Sequence, residues 1–336
     1  MNNLLNNKFF VVFFFPIVLG AVTTFGFTPY NLTILNFFTF SILLSLILIV
    51  KKRTKTVYRK KKSNRFLFYL GCSFGFGFFL VGNYWISISL THDEMFKNLI
   101  PFALILIPLF LSLFFGLTTL ITGMFIEKNI SSILFFSLVF SLLEFIRGNI
   151  LTGFPWNLIS YTWSWSLEVI QMLSLFGAYS LSLFSVTFFC IPFLFFQKKI
   201  IKKNIIFLTI FLLLFLGNYS YGKYKLNNSK INYDKNIYIK IVSPNFLLKD
   251  YQTQTEELQI KRLIKISDPE KDKKTIFIWP EGIFYESYLK DIKKHENFFK
   301  ESFSDNHLIV FGINNFVDFA NGKKKYFNSL AILNSN

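Results

Sequence analysis

The sequence predicts an α-helical polytopic membrane domain over residues 1–224, followed by a soluble α/β domain over residues 225–336. Hydrophobic residues make up 52% of the 336 residues, and phenylalanine alone accounts for 47, which is too apolar for a soluble protein of this size. The apolar runs are long and lack the alternation of strands, and a helix satisfies its own backbone hydrogen bonds in lipid. After about residue 230 the pattern changes to short strand-like and helix-like segments.

Seven segments are long enough to form transmembrane helices, each of which takes about 20 apolar residues. They lie near residues 9–27, 31–50, 66–90, 99–125, 131–147, 166–196 and 204–221. The first is interpreted as a retained helix rather than a signal peptide, because no small-residue cleavage site precedes Pro29.

The short loops predict the orientation of these helices. Residues 51–65 contain nine lysines and arginines, and residues 197–204 contain four lysines. Basic loops stay on the cytoplasmic side, and an even number of crossings separates these two. The seventh helix then delivers everything after about residue 224 to the external face of the membrane.

The net charge of +17 does not indicate nucleic-acid binding, because the basic excess lies in the membrane part. Residues 1–224 hold 18 basic and 5 acidic side chains, whereas residues 225–336 hold 18 and 14. The two cysteines, Cys72 and Cys190, lie in apolar runs without metal or disulfide spacing, and the three histidines are scattered. We therefore expect no metal and no cofactor.

The α/β domain is predicted from strands and helices that alternate and end in a hairpin. Ser287 is the expected cap of the second helix, and Asn321 and Gly322 form the expected hairpin turn. The expected strands are 236–243, 275–279, 307–314 and 325–333, and the expected helices are 251–267 and 287–303. This pattern predicts the first part of an α/β sandwich, of which about 100 residues are present.

Glu281 is the leading candidate for catalysis. It directly follows the strand that ends at Trp279 and Pro280, and α/β folds commonly display catalytic groups at strand ends. A carboxylate there suits a general base, but this chain offers no evident nucleophile for it to activate. The alternative is an exposed carboxylate that merely terminates a strand.

The external loop 148–165 is the second candidate. It contains Trp156, Trp163 and Trp165, and it follows Glu144 and Arg147 at the outer end of a helix. Charges at membrane depth are costly and tend to be functional or mutually paired. We expect Arg147 to receive a lipid phosphate and the loop to hold an acyl chain or a lipoprotein at the interface, although the tryptophans alone also fit an aromatic belt.

Several short motifs occur in an order that resembles the apolipoprotein N-acyltransferase family, across the whole chain. They are Phe27-Thr28-Pro29-Tyr30, Gly82-Asn83-Tyr84-Trp85, Glu144 with Arg147 and Gly153-Phe154-Pro155-Trp156, Gly177-Ala178-Tyr179 with Leu181-Ser182, Ser243-Pro244-Asn245, Trp279-Pro280-Glu281, and Asn328-Ser329-Leu330-Ala331.

The resemblance implies an extracytoplasmic, nitrilase-like (carbon-nitrogen hydrolase) domain with a Glu-Lys-Cys triad, followed by an eighth membrane helix. Glu281 matches the triad glutamate, and Glu144, Arg147, Trp156 and Trp279 are the expected substrate-binding residues. The lysine and the cysteine belong after residue 336, so the chain is expected to be C-terminally truncated and inactive by itself.

The resemblance also implies the substrates and the location. A phospholipid is the acyl donor, and the α-amine of a diacylglyceryl-cysteine at a lipoprotein N-terminus is the acceptor. The expected protein is a monomer that spans the bacterial inner membrane several times, with its soluble domain on the periplasmic side and without a nucleic-acid partner. Two alternatives stay open: a transporter or membrane scaffold with an external binding module, and a membrane-anchored nitrilase-type amidase.

Overall fold

The computed structural model divides into two compact units, Met1–Lys230 and Ile231–Asn336, which we call the membrane unit and the sheet unit. The structure describes residues 7–53, 60–91, 94–151, 153–196, 201–229, 234, 236–246, 254–284, 287–318 and 323–334. The predicted hairpin turn at Asn321 and Gly322, and parts of both basic loops, lie outside these residues.

The membrane unit is helical. Its α-helices are α1 (Phe15–Thr23), α2 (Ile34–Arg53), α3 (Lys60–Gly82), α4 (Ile100–Phe125), α5 (Ile130–Asn149), α6 (Leu167–Ile170), α7 (Leu173–Cys190) and α8 (Lys202–Asn228). Among the described residues, six helical segments are long and apolar enough to cross a membrane: Ile34–Lys52, Ser63–Gly82, Glu94–Phe125, Ile130–Asn149, Leu173–Phe195 and Lys202–Asn228. The first predicted crossing corresponds to the shorter apolar helix Phe10–Gly26, so the seventh crossing stays a prediction.

The sixth predicted crossing, 166–196, is not one continuous helix. It begins with the short α6, and α7 contains Gly177 at a φ of 78°, a conformation that a residue with a side chain rarely adopts. A 3₁₀ segment, Ile191–Phe195, then extends α7. The sequence did not predict these breaks, because a uniformly hydrophobic segment has no helical periodicity whose interruption would mark the end of a helix.

Phenylalanine rings fill the interior of the membrane unit. The ring of Phe40 is fully buried and lies 6.1 Å from Phe74, 5.7 Å from Phe140 and 6.0 Å from Phe189, measured between ring centroids. These separations are typical of favourable aromatic pairs. The many phenylalanines therefore provide specific packing inside the unit as well as lipid-facing surface.

The sheet unit has one four-stranded mixed sheet in the order β1-β2-β3-β4 among its described residues. The strands are β1 (Ile237–Ile241), β2 (Lys274–Ile278), β3 (His307–Asp318) and β4 (Lys324–Leu333). β1, β2 and β3 are parallel, and β4 is antiparallel to β3. The remaining helices are α9 (Glu256–Ser267), α10 (Leu289–Ile292) and α11 (Glu296–Ser302).

The two faces of this sheet differ in burial. Phe277, Ile309 and Phe311 point to one face, where they share a buried core with Leu263 of α9 and Phe299 of α11. On the opposite face, which we call the open face, the apolar side chains of Ile239, Ile241, Ile278, Leu308 and Ile332 are exposed. Only one layer is described, so the predicted sandwich stays a prediction.

Three details of the predicted α/β pattern are wrong. The predicted helix 287–303 is two short helices, α10 and α11, joined by a 3₁₀ turn. Ser287 is not its cap, because its hydroxyl donates a hydrogen bond to Glu256, while the carboxylate of Asp291 accepts from the backbone N–H of Tyr288 at the start of α10. β3 also continues four residues beyond the predicted end at 314.

Candidate functional site

Trp279 continues the β2 ladder into the residues before Glu281. Its backbone N–H donates to the carbonyl of Val310 at 2.9 Å, and its indole N–H donates to the Ser267 hydroxyl at 2.9 Å. Only 2% of Trp279 is exposed, and its ring lies between Phe299 and Phe311. This burial favours a role in fixing the end of β2 over the predicted contact with substrate.

Glu281 lies exposed at the carboxyl end of the parallel strands, on the open face of the sheet. A Cβ atom at Gly312 would lie 3.3 Å from the Cγ atom of Glu281, so the glycine on β3 lets the glutamate side chain lie against the strand. The amide nitrogen of Asn328 on β4 lies 3.4 Å from the Oε1 atom of Glu281, a long hydrogen bond. β3 and β4 therefore position this carboxylate together.

This geometry suits proton transfer. An exposed carboxylate with one neutral donor keeps free lone pairs that can accept a proton from an incoming group. The sequence identified Glu281 but missed Gly312, although a glycine inside a strand is a known sign of close approach by another group. Asn328 appeared only as part of a motif, and its contact with Glu281 depends on the register of β4.

The second candidate site, in the membrane unit, begins with two buried charges on α5. Glu144 and Arg147 are each 4% exposed, and the Nη2 atom of Arg147 lies 3.9 Å from the Oε1 atom of Glu144. The Nη1 atom of Arg147 donates to the carbonyls of Phe154 at 3.0 Å and Trp156 at 2.8 Å. The guanidinium also lies 5.1 Å from the ring centroid of Phe79.

Glu144 holds the other end of the same loop. Its Oε1 atom accepts a hydrogen bond from the backbone N–H of Ile159 at 2.9 Å. The ion pair thus fixes the path of residues 154–159 by three hydrogen bonds to main-chain groups. This burial favours a positioning role for Glu144 and Arg147 over the predicted direct contact with a lipid phosphate.

The tryptophans that the sequence grouped together separate in the structure. Trp156 is 52% exposed, and its ring packs edge to face with Trp85 at 5.2 Å. Trp163 is buried against Phe189, and Trp165 donates its indole N–H to the Thr33 hydroxyl at 2.8 Å. Of these three tryptophans, Trp163 alone is buried, and Trp156 and Trp165 are each about half exposed.

A cavity of about 420 Å³ lies beside this loop. Its lining is apolar apart from Arg147, and includes Ile86, Leu106, Phe110, Leu151 and Phe154. The volume is within the range of cavities that bind small ligands. A lining of this kind suits an alkyl chain. No group of three or more His, Cys, Asp or Glu side chains suited to a metal ion occurs among the described residues.

These features define a class: a multi-pass membrane protein that carries a small mixed α/β unit with a displayed carboxylate. The family model for the apolipoprotein N-acyltransferase N-terminal domain matches residues 19–191, which is just over half of the chain. The chain belongs to the apolipoprotein N-acyltransferase family. The early resemblance is confirmed in this respect.

Individual relatives carry the same name. The chain is 45% identical over 113 residues to an apolipoprotein N-acyltransferase of Rickettsia prowazekii (strain Madrid E). The aligned residues cover 33% of this chain and 23% of the relative. It is 31% identical over 170 residues to the Brucella melitensis protein, and 30% identical over 168 residues to the Rhodopseudomonas palustris protein. Those two matches each cover 50% of this chain and 31% and 30% of the relatives, respectively. The apolar helices and these bacterial relatives fit a multi-pass bacterial membrane protein.

Proposed function

We propose that this chain contributes the general base and an acyl-chain site to an apolipoprotein N-acyltransferase. The reaction moves an acyl chain from a phospholipid to the α-amine of a diacylglyceryl-cysteine at the N-terminus of a lipoprotein. The observation that carries the proposal is Glu281, displayed at the carboxyl end of the sheet against Gly312. The matched segments span less than a third of the relatives' lengths, so the activity rests on family membership together with this geometry.

Glu281 would act twice as a base. It first accepts the proton of a cysteine thiol, whose thiolate attacks the acyl ester. It then gives this proton to the departing oxygen, which releases a lysophospholipid and restores the carboxylate. It then accepts a proton from the lipoprotein amine as that amine attacks the thioester and restores the thiol. Cys72 and Cys190 do not suit the nucleophile, because both lie in candidate membrane helices. That residues 1–336 are inactive by themselves stays a prediction.

The acyl donor would place one chain in the cavity that Arg147 and Phe154 line, in the loop that also carries Trp156. The apolar lining supplies the surface for the chain, and the exposed face of Trp156 suits the boundary between the chain and the headgroup. Glu144 and Arg147 would act through the loop whose backbone they hold. The amidase alternative shares Glu281 but gives no reason for an apolar cavity lined by this loop.

The membrane topology would place the sheet unit on the periplasmic side of the inner membrane. Two described lysines support this orientation: Lys51 donates to the Ile126 carbonyl at 2.8 Å, and Lys128 donates to the Phe196 carbonyl at 2.6 Å. These two bonds join the ends of the basic loops 51–65 and 197–204 to residues 126–128, which supports the prediction that both loops lie on the same, cytoplasmic side.

Replacement of Glu281 by Gln in a form of the protein that shows acyl transfer tests the proposal. We expect N-acylation to fall by about 10²–10⁴-fold, the usual contribution of a positioned base, since the amide cannot accept the proton. Mass spectrometry of a lipoprotein N-terminus measures the loss. Glu301→Gln, at an exposed helical position of the same unit, is the matched control. Wild-type acylation by the Glu281→Gln variant would overturn the assignment.

A further inference from the structure

One end of the sheet unit carries an exposed cluster of aromatic and basic side chains. The cluster, which we call the hairpin tip, consists of residues 316–318 of β3, Lys323 and residues 324–327 of β4, and the adjacent Tyr288 and Lys290. It lies beyond Glu281 in the direction in which the parallel strands run, since Asn314 pairs with Asn328 and the strands continue to Asp318 and Lys324.

Phe316 is the centre of the hairpin tip. The Nζ atoms of Lys290 and Lys324 lie 4.3 Å and 4.8 Å from its ring centroid. The rings of Tyr288 and Tyr326 lie 5.0 Å and 6.0 Å from it. Cation–π contacts of this length hold ammonium groups over an aromatic surface while their hydrogens stay available to other acceptors.

The cluster is both apolar and positively charged at the surface. Tyr326 is 60% exposed, Val317 47% and Phe327 40%, and Lys325 lies over the ring of Phe327 at 5.3 Å. Residues 316–327 contain three lysines and one acidic residue, Asp318, which pairs with Lys324 at 3.9 Å. Lys290 adds a fourth positive charge.

We propose that the hairpin tip docks on an anionic phospholipid surface. Exposed rings next to lysines are the side chains that proteins place at the lipid headgroup level, where the ring enters the interface and the ammonium meets phosphate. The membrane is also within reach of this unit. α8 is a candidate membrane helix that ends at Asn228, and β1 begins nine residues later at Ile237. Nine residues span at most about 30 Å.

Docking at the hairpin tip brings the carboxyl end of the sheet, which carries Glu281, close to the lipid headgroups. It does not depend on acyl transfer, because the contact uses only the tip's charge and exposed rings. Aromatic and basic surfaces also bind single-stranded nucleic acid, but a chain held in the membrane by its helices meets lipid at far higher local concentration.

An environment-sensitive fluorophore on Val317→Cys tests the docking. The whole chain is reconstituted into vesicles of phosphatidylcholine with or without phosphatidylglycerol, each containing a quencher-labelled lipid. We expect quenching in the anionic vesicles that is lost in high salt, because exposed charges are screened. The same label on Asp272→Cys lies at the other end of the sheet, where the linker from α8 enters β1, and any quenching there should be equal in neutral and anionic vesicles.

A charge variant and its matched control complete the test. Each lysine near an anionic surface strengthens association by about fivefold, so Lys323→Gln, Lys324→Gln and Lys325→Gln together should weaken docking by about a hundredfold and abolish the quenching. Lys271→Gln, Lys273→Gln and Lys274→Gln remove the same charge from the opposite end and should leave it unchanged. Equal effects of the two triple variants, equal quenching in neutral vesicles, or full reversal by inorganic phosphate or single-stranded DNA at constant ionic strength would each overturn the proposal.

Discussion

At the scale of single residues, the candidate sites depend on contacts that leave no room for a larger or differently charged side chain. Glu281 lies against Gly312, and the Glu144–Arg147 pair holds the carbonyls and the N–H of one loop. The first contact is steric and the second is electrostatic. They predict different consequences of substitution.

Gly312→Val should lower acyl transfer without unfolding the protein. The new branched side chain meets the Glu281 side chain at a position where even a Cβ atom lies 3.3 Å away, so the carboxylate is displaced. Activity and thermal unfolding measured on the same preparation check this. Gly217→Val is the control, because nothing lies within 4 Å of its Cβ position. Full activity of the Gly312→Val variant would show that the contact does not position the base.

Arg147→Met should destabilise the membrane unit by about 3–5 kcal/mol, the usual cost of leaving one buried charge without its partner. The loop carbonyls of Phe154 and Trp156 also lose their donor. Thermal unfolding in detergent measures the loss. Combining Arg147→Met with Glu144→Gln should recover part of it, because the remaining side chain is then neutral. A double variant less stable than the single one would contradict the ion-pair explanation.

At the scale of helices and strands, glycines set how closely the elements approach. A Cβ atom at Gly77 of α3 would lie 2.0 Å from the Ile17 carbonyl of α1, and one at Gly20 of α1 would lie 1.9 Å from the Phe74 carbonyl of α3. Backbones can touch in this way only where small residues line both helices. Which helices meet at these glycines is decided only by the tertiary structure.

Gly77→Leu should therefore separate α1 from α3 and destabilise the membrane unit. The side chain has no space to occupy, because the obstacle is a backbone carbonyl rather than a flexible side chain. We expect a lower unfolding temperature in detergent and earlier proteolysis near the N-terminus. Gly217→Leu on α8 introduces the same side chain at an open position and should change neither measurement.

At the scale of the whole molecule, the distribution of charge predicts the side of the membrane on which the sheet unit resides. The predicted crossings carry residues 225–336 to the periplasm, and this depends on whether Phe10–Gly26 and the six longer segments all cross. In spheroplasts, protease added from outside should digest residues 225–336. Protection from outside, with digestion only from the cytoplasmic side of inverted vesicles, would reverse the orientation. A tag placed before residue 10 shows on which side of the membrane the N-terminus lies, and so tests independently whether Phe10–Gly26 crosses the membrane.

The sequence by itself determined the membrane character, the positions of most helices and strands, and the family, because hydrophobic runs and ordered short motifs are local properties. It also identified Glu281, which directly follows a strand. Only the tertiary structure showed that Gly312 and Asn328 flank this carboxylate, that Arg147 is committed to the loop of Trp156, and that Lys290 and Lys324 meet over Phe316. These contacts depend on strand register and on how the chain folds back, and such long-range packing has no signature in a single stretch of residues.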